Sequence, residues 1–457
     1  MKRKNYKKLL IILSILIPGI FALISPLGLS RHQALTTAVL LITISWWSAN
    51  LVKKIPASLF LLCAFAILQS APIKTIFSFP LSENFYLIII TYLFSQGIAN
   101  SGLIDIFLYP ILKKYATTPV KTILCMVVVF YLTIYIIPQP IARLILIASV
   151  FKVYFDKTDM PENTRHALMF ICFSLFALVN MGMRDSDLIL NTSTVGFADV
   201  SFSNSVWVKY MFVPTAGYLV LATLLSIAVF RKELLGVRFK ITDTPKPGRL
   251  TSVQKKTGII ILLTVAGWLC SSLLNVSVTI ITLVTTILFA MVGVLKKQDI
   301  KAIDITTMVF LTAAFSIGGV MKACGAAAVL FGQLGNLFPS EASLLYIFIL
   351  VTVGIAVHMI LGSNTTTLSV IVPGFIMMSS KYYPPEIVML LAFICVAYHA
   401  ILPFHCVTIA IGTGNHYFPA KYIARYGIPG ILLIYIAVFL LYLPWWKMLG
   451  LLGGQGI

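Results

Sequence analysis

The residues of this chain best suited to chemistry fall in two places. The first is Leu361-Gly362-Ser363-Asn364-Thr365-Thr366-Thr367, which leads into an apolar run reaching Pro373 and Phe375. Hydroxyls, an amide and the exposed N–H groups of a helix start can hold an anion without a formal charge. Backbone carbonyls exposed at the same turn suit sodium. Ser363, Asn364 and Thr365 are therefore candidates for substrate binding, and Ser363 and Asn364 also for an ion. A simpler reading makes Ser363 and Thr365 ordinary helix caps. The second place is Val179–Gly196, where Arg184 stands beside Asp185 and Asp187. A guanidinium binds an oxyanion through paired donors. A carboxylate inside a membrane can ligate a cation or carry a proton, or simply close an internal salt bridge.

Other residues are weaker candidates. Arg143 lies just after Pro138-Gln139-Pro140, where it either reaches the same site or snorkels to the cytoplasmic face. His399 and His405 flank another interruption, and a titrating imidazole there would couple transport to protons. His358 reads as structural, and the sequon Asn191-Thr192-Ser193 as accidental. The sequence has no P-loop, GxSxG or HExxH motif. ATP-driven transport and those hydrolytic chemistries are not expected, nor is an enzyme. No cofactor is expected beyond a sodium ion.

The elements that must position these residues are membrane helices. The chain has 457 residues, 59% hydrophobic and only 11% charged. Soluble domains carry about 25% charged residues. Its net charge of +20 does not suggest nucleic acid, because the basic residues cluster between apolar runs. The seven cysteines mostly lie inside those runs and read as packing residues. The basic N-terminus before the first run reads as the cytoplasmic end of a first membrane helix, not a cleaved signal. Apolar helices are expected near 8–25, 33–51, 56–73, 85–108, 165–190, 206–230, 257–273, 277–295, 304–321, 386–411 and 426–446. Two longer runs, near 119–151 and 342–379, break at Pro138-Gln139-Pro140 and Gly362-Ser363-Asn364-Thr365. A break at membrane depth is tolerated only where buried or lining a watery cavity. Both runs therefore read as re-entrant hairpins.

The polar stretch Arg231–Lys256 divides the chain nearly in half. Phe94-Ser95 with Gly97 recurs as Phe315-Ser316 with Gly318, and a slide from 138 to 362 superposes the two breaks. The expected organisation is a first helix (1–32), a first repeat (33–230) with a cytoplasmic-side hairpin near 120–151, a cytoplasmic linker (231–256), and a second repeat (257–457) with an outer-side hairpin near 342–379. With the N-terminus inside, 24 of the 34 Lys and Arg fall on the cytoplasmic side and 8 outside, the latter including Lys421 and Arg425. Arg143 and Arg184 remain within the membrane. The bias supports an all-α polytopic protein of the cell membrane with about 11 spans in two inverted repeats and an outer C-terminus. Discontinuous segments at matching positions point to a transporter binding site.

A resemblance narrows this. Ser363-Asn364-Thr365-Thr366-Thr367 with Pro373, then Leu402-Pro403-Phe404-His405-Cys406, Gly412-Thr413-Gly414 and Lys421–Gly427 resemble the divalent anion:sodium symporter family. They match its second Ser-Asn-Thr hairpin, broken helix and following segment. The order of elements agrees over nearly the whole chain. This family lies within the ion transporter superfamily. The resemblance implies an elevator-type secondary transporter, usually a homodimer, carrying di- or tricarboxylates or sulfate with sodium or by exchange. It places His405 at a substrate position, beside Gln139, Arg184 and the second tip. Arg143, Asp185, Asp187 and His399 are left as coupling candidates. The chain departs from the family in its first half. There the Ser-Asn-Thr position holds Gln139-Pro140-Ile141, and the Thr-Pro-Pro-Asn position falls near Met183–Asp187. A first sodium site would lack its hydroxyl and amide ligands. The alternative is a lipid-phosphate-handling protein that kept the architecture.

Overall fold

The computed structural model describes residues 2–49, 51–240, 250–270, 274–335, 338–361, 363–402 and 405–452. Residues 241–249 of the expected linker, Gly362 of the second tip, and Pro403 and Phe404 lie outside the described residues. The architecture is helical throughout, with no strand among the described residues.

The first half begins with α1 (Lys2–Ile24), α2 (Arg31–Ser48), α3 (Lys54–Ile67), α4 (Glu83–Ser101) and α5 (Leu103–Tyr115). It continues with α6 (Pro119–Thr133), α7 (Pro140–Asp156), α8 (Glu162–Asn180), α9 (Leu190–Ala198) and α10 (Asn204–Val229). The second half opens with α11 (Ser252–Leu269), α12 (Val278–Val292), α13 (Ile305–Ala323), α14 (Ala326–Gly335) and α15 (Leu344–Leu361). There follow α16 (Asn364–Ser379), α17 (Pro385–Ala397), α18 (Val407–Gly414), α19 (Lys421–Ala437) and α20 (Leu443–Met448). The order in α2–α10 recurs in α11–α19. The interruptions recur too: α6 breaks from α7 as α15 breaks from α16, and α8 from α9 as α17 from α18.

Local chemistry sets these boundaries. Ser30 and Thr251 open α2 and α11 with reciprocal capping boxes to Gln33 and Gln254. The single expected helix near 85–108 is two helices bent by 59°. Gly102 sits between them at φ 67°, a left-handed conformation that side chains disfavour. Three helices among the described residues have the length and hydropathy of a full membrane crossing: Asn204–Val229, Lys297–Ala323 and Lys421–Met448. The bent pair makes a fourth candidate, and six further apolar helices have 10–17 residues. The breaks shorten three of these, α6, α15 and α17.

Two cores form. One joins α2, α3, the start of α4, α13 and α14, with Leu188 and Leu361 from the breaks packed into it. The other joins α6–α10 to α15–α20, together with the end of α4 and parts of α5 and α12. At its centre α17 is buried on every side from Ile387 to Ala397, the mark of a helix with no solvent or lipid face. The halves interlock: α4 packs on α12 and α3 on α13, while α9 packs on α16 and α17.

One part of the expected topology needs correction. Arg425 Nη1 lies 2.5 Å from Glu233 Oε1, and its Nη2 donates to the Val229 carbonyl. Tyr422 Oη donates to the Asn163 carbonyl at 3.3 Å. At the other end of α10, Trp445 and Trp446 donate to the carbonyls of Lys209 and Tyr210. So α10 runs antiparallel to α19–α20, and Lys421 and Arg425 share the linker's end of the molecule. The sequence expectation places them on the opposite face. The second broken helix brings the chain back to the linker's end before α19 begins. Moving both residues raises that side's basic count from 24 to 26 and lowers the other to 6.

Candidate functional site

The four interruptions meet at a cavity of about 390 Å³. One wall belongs to the larger core and carries Gln139, Asn180, Asp187, Asn191, Ser363, Asn364, Thr365 and Thr408. The facing wall belongs to the smaller core and carries Lys54, Tyr92, Asp304, Thr307, Phe310 and Leu311. Apolar side chains including Ile141, Met181, Phe393 and Val407 complete the lining.

Helix N-termini give this cavity its character. Those of α7, α9, α16 and α18 all contribute lining residues, and helix N-termini carry partial positive charge. They are not equivalent. At α7, Gln139 Oε1 accepts from the Ala142 N–H. At α9, Asp187 Oδ1 accepts from the N–H groups of Ile189 (3.0 Å) and Leu190 (2.8 Å). At α16, Ser363 makes no side-chain cap, while at α18 the Cys406 thiol engages Thr408 and the backbone of Thr408 and Ile409. Asn364 Nδ2 instead donates to the Val396 carbonyl at 2.7 Å, tying the second tip to the end of α17.

Arg143 lies behind the first tip, fully buried. Its Nη1 donates to the carbonyls of Ile134 (3.2 Å) and Ile137 (3.0 Å), and its Nη2 to Asn180 Oδ1 (2.6 Å) and the Ser186 carbonyl (2.8 Å). The guanidinium also lies 5.2 Å from the Phe176 ring centroid. Four oxygens from the α6–α7 break and the α8–α9 break thus converge on one resident cation. It does not line the cavity and does not snorkel.

The structure brings together Gln139, Asp187, Ser363, Asn364 and Thr365 around the cavity. It leaves out the other candidates. Arg184 pairs with its neighbour Asp185 at 2.7 Å and donates to the Phe202 carbonyl, with both side chains about a third exposed. Neither residue lines the cavity. His405 Nδ1 accepts from the N–H groups of Ile401 and Leu402, bracing the second break. His399 stacks edge-on to His358 at 4.8 Å between ring centroids, outside the cavity wall. Asn191 is buried, and its Nδ2 donates to the carbonyls of Asn180 and Met183, an arrangement no glycan could share.

Sequence reasoning missed Lys54, Asp304 and Asn180. It treated Lys54 as a cytoplasmic basic residue, which is the ordinary place for a lysine at a span's start. It also missed Ser95, whose Oγ accepts from the Gln139 N–H at 3.3 Å and so supports the first tip. The recurring Phe-Ser-x-Gly pattern was the available signal.

Fold and site together define a class: a multi-pass helical membrane protein whose interrupted helices aim their N-termini into a shared cavity. Residues 3–452 match the model of the sodium:sulfate symporter transmembrane region. The chain belongs to that family. Comparison with curated proteins gives no match.

Proposed function

We propose that this protein is a secondary transporter of small anions in the cell membrane. The observation that carries the reading is the cavity's position: helix N-termini and small polar side chains line it, and it lies between two packed cores. The core built on the breaks is the moving unit, and the core of α2, α3, α13 and α14 is the scaffold, as an elevator requires. The halves 33–230 and 257–457 are inverted repeats, with about 11 spans, an inner N-terminus and an outer C-terminus. The active form is a homodimer. Dicarboxylates, tricarboxylates and sulfate are the substrates to test first.

Coupling rests on the second half. In the first half the oxygens suited to a cation already hold the Arg143 guanidinium. Sodium is co-transported at the second tip, among Ser363, Asn364 and the exposed backbone there, or the anion is exchanged. Reconstitution into liposomes with labelled succinate, citrate or sulfate separates the two. Symport predicts uptake that collapses without sodium, and exchange predicts uptake only into anion-loaded vesicles. Asn364→Ala should lower uptake at least tenfold in well-expressed protein, since it removes the tie to Val396 and a cavity donor. Absence of counter-flow with every one of these anions refutes the substrate class.

A further inference from the structure

The cavity wall that belongs to the smaller core carries a cation with unspent donors. Lys54 opens α3 and lines the cavity. An ammonium has three N–H donors, yet among the described residues that of Lys54 makes no hydrogen bond and no ion pair. It rests on the Phe310 ring, with 4.9 Å between the ammonium and the ring centroid. A ring face is a weaker partner for an ammonium than an oxyanion is. The nearest counter-charge is already committed. Asp304 acts on Lys54 electrostatically, but its Oδ1 accepts from the Thr307 N–H at 3.1 Å and its Oδ2 from the Thr307 hydroxyl, as the cap of α13. A lysine that only snorkelled to the membrane surface would turn its head away from the cavity. Lys54 lines the cavity, and so does the ring beneath its ammonium.

Lys54 also belongs to one end of its core. Its contact with Phe310 sets the start of α3 beside the start of α13. The turn before α13, Lys297–Ala302, is tied to the end of α4, where Asn100 Nδ2 donates to Asp299 Oδ2 at 3.0 Å. The same end of α4 receives the start of α11, through Gln254 Nε2 and the Ser101 carbonyl at 3.1 Å. Helix α11 begins directly after the linker, so Lys54 stands at the linker's end. The first tip meets the wall at this level: the Tyr92 hydroxyl interacts both with Thr307 on the wall and with Gln139 on the tip.

Resting on the anion-transport reading, we propose that Lys54 is a scaffold contact for the transported anion, made only while the cavity stands at the linker's end. An oxyanion group facing this wall takes the Lys54 ammonium in a charge-assisted hydrogen bond. When the core built on the breaks slides along the scaffold, the anion leaves with it and Lys54 stays behind. The anion is then held more tightly on the linker side than on the opposite side. That difference biases the loaded carrier toward the linker-side state by the same factor, relative to the empty one. Asp304 tempers the contact, and removing its charge strengthens it.

The test measures binding of succinate, citrate and sulfate, each by calorimetry, to the full-length protein in detergent. Lys54→Gln is expected to weaken the tightest of the three at least fivefold, and Lys54→Arg to keep it within twofold. Asp304→Asn, which keeps a capping side chain, should tighten it at least twofold. Unchanged binding in a Lys54→Gln protein that melts like the wild type overturns the proposal, as does binding of none of the three to the wild type at millimolar concentration. Should Lys54→Gln fail to fold, Asp304→Asn decides: tighter binding supports the contact, and unchanged or weaker binding overturns it. Vesicles of opposite orientation test the restriction to one state. In Lys54→Gln, the KM for uptake should rise at least fivefold where the linker face meets the medium and stay within twofold where the other face does. An equal rise on both faces overturns that restriction. A wild-type protein whose anion binding depends on Lys54 but that moves no anion in either orientation keeps the contact and loses the transport reading.

Discussion

Arg143 is the residue on which the first half of the site is organised. A lysine cannot replace it: one ammonium cannot reach four acceptors spread over two breaks, whereas the planar guanidinium presents its donors in a fork. Removing one partner from a buried charged network costs about 3–5 kcal/mol, because the remaining acceptors stay buried and unpaired. Arg143→Met should therefore lower the unfolding free energy by about that much, and Arg143→Lys by somewhat less. Thermal melting in detergent reads both. A melting temperature unchanged in Arg143→Met would show that the four oxygens find water instead. At this scale the sequence was unevenly legible. Asn364 could be found because three small polar residues interrupt an apolar run, a local signal. Arg184 and Arg143 looked alike as intramembrane arginines. What separates them is non-local: Arg143 meets Ser186 across two helices, and Arg184 meets Asp185 next door.

At the scale of elements, the breaks are held open by close approaches that tolerate no extra atom. Gly427 on α19 passes the second break so closely that an added Cβ would lie 2.7 Å from the Ala400 carbonyl oxygen and 3.0 Å from Ile401 Cα. Both are backbone atoms of a segment that His405 braces. Gly427→Ala should cost about 1–3 kcal/mol and displace that break. Melting should fall and anion uptake into liposomes should weaken together. A drop in stability with uptake unchanged would place the strain in α19 instead. The contrasting case is Gly374 on α16, where the three atoms nearest an added Cβ all belong to the Phe331 ring on α14, a side chain rather than backbone. Helix existence was legible from apolar runs and the hairpin breaks from Pro138 and Gly362. The bend at Gly102 and the separate α14 were not, since a helix bent between two apolar segments has the same composition as a straight one.

At the scale of the whole molecule, the two cores and the antiparallel pairing of α10 with α19–α20 determine which charges share a face. After native thiols are blocked, Lys421→Cys should react with a membrane-impermeant maleimide from the linker side only. Labelling of that cysteine from the opposite face would break the topology derived from the Arg425–Glu233 pair. The pairing of α10 with α19–α20 corrects the side given to Lys421 and Arg425, although the expected run 386–411 already leads the chain back toward the linker. Contacts between chain halves, such as α9 with α16 and α17, leave no trace in local sequence, and these contacts close the cavity.

The resident guanidinium has an energetic consequence. A cation that can dissociate brings the free energy of its own gradient, about 1.4 kcal/mol for each tenfold ratio across the membrane. Arg143 is covalently part of the carrier. It supplies charge to the first half on every cycle but has no concentration difference to run down. On the transport reading proposed above, uphill work then falls to whatever accompanies the substrate at the second half, and the ceiling on accumulation is lower by the worth of one ion gradient.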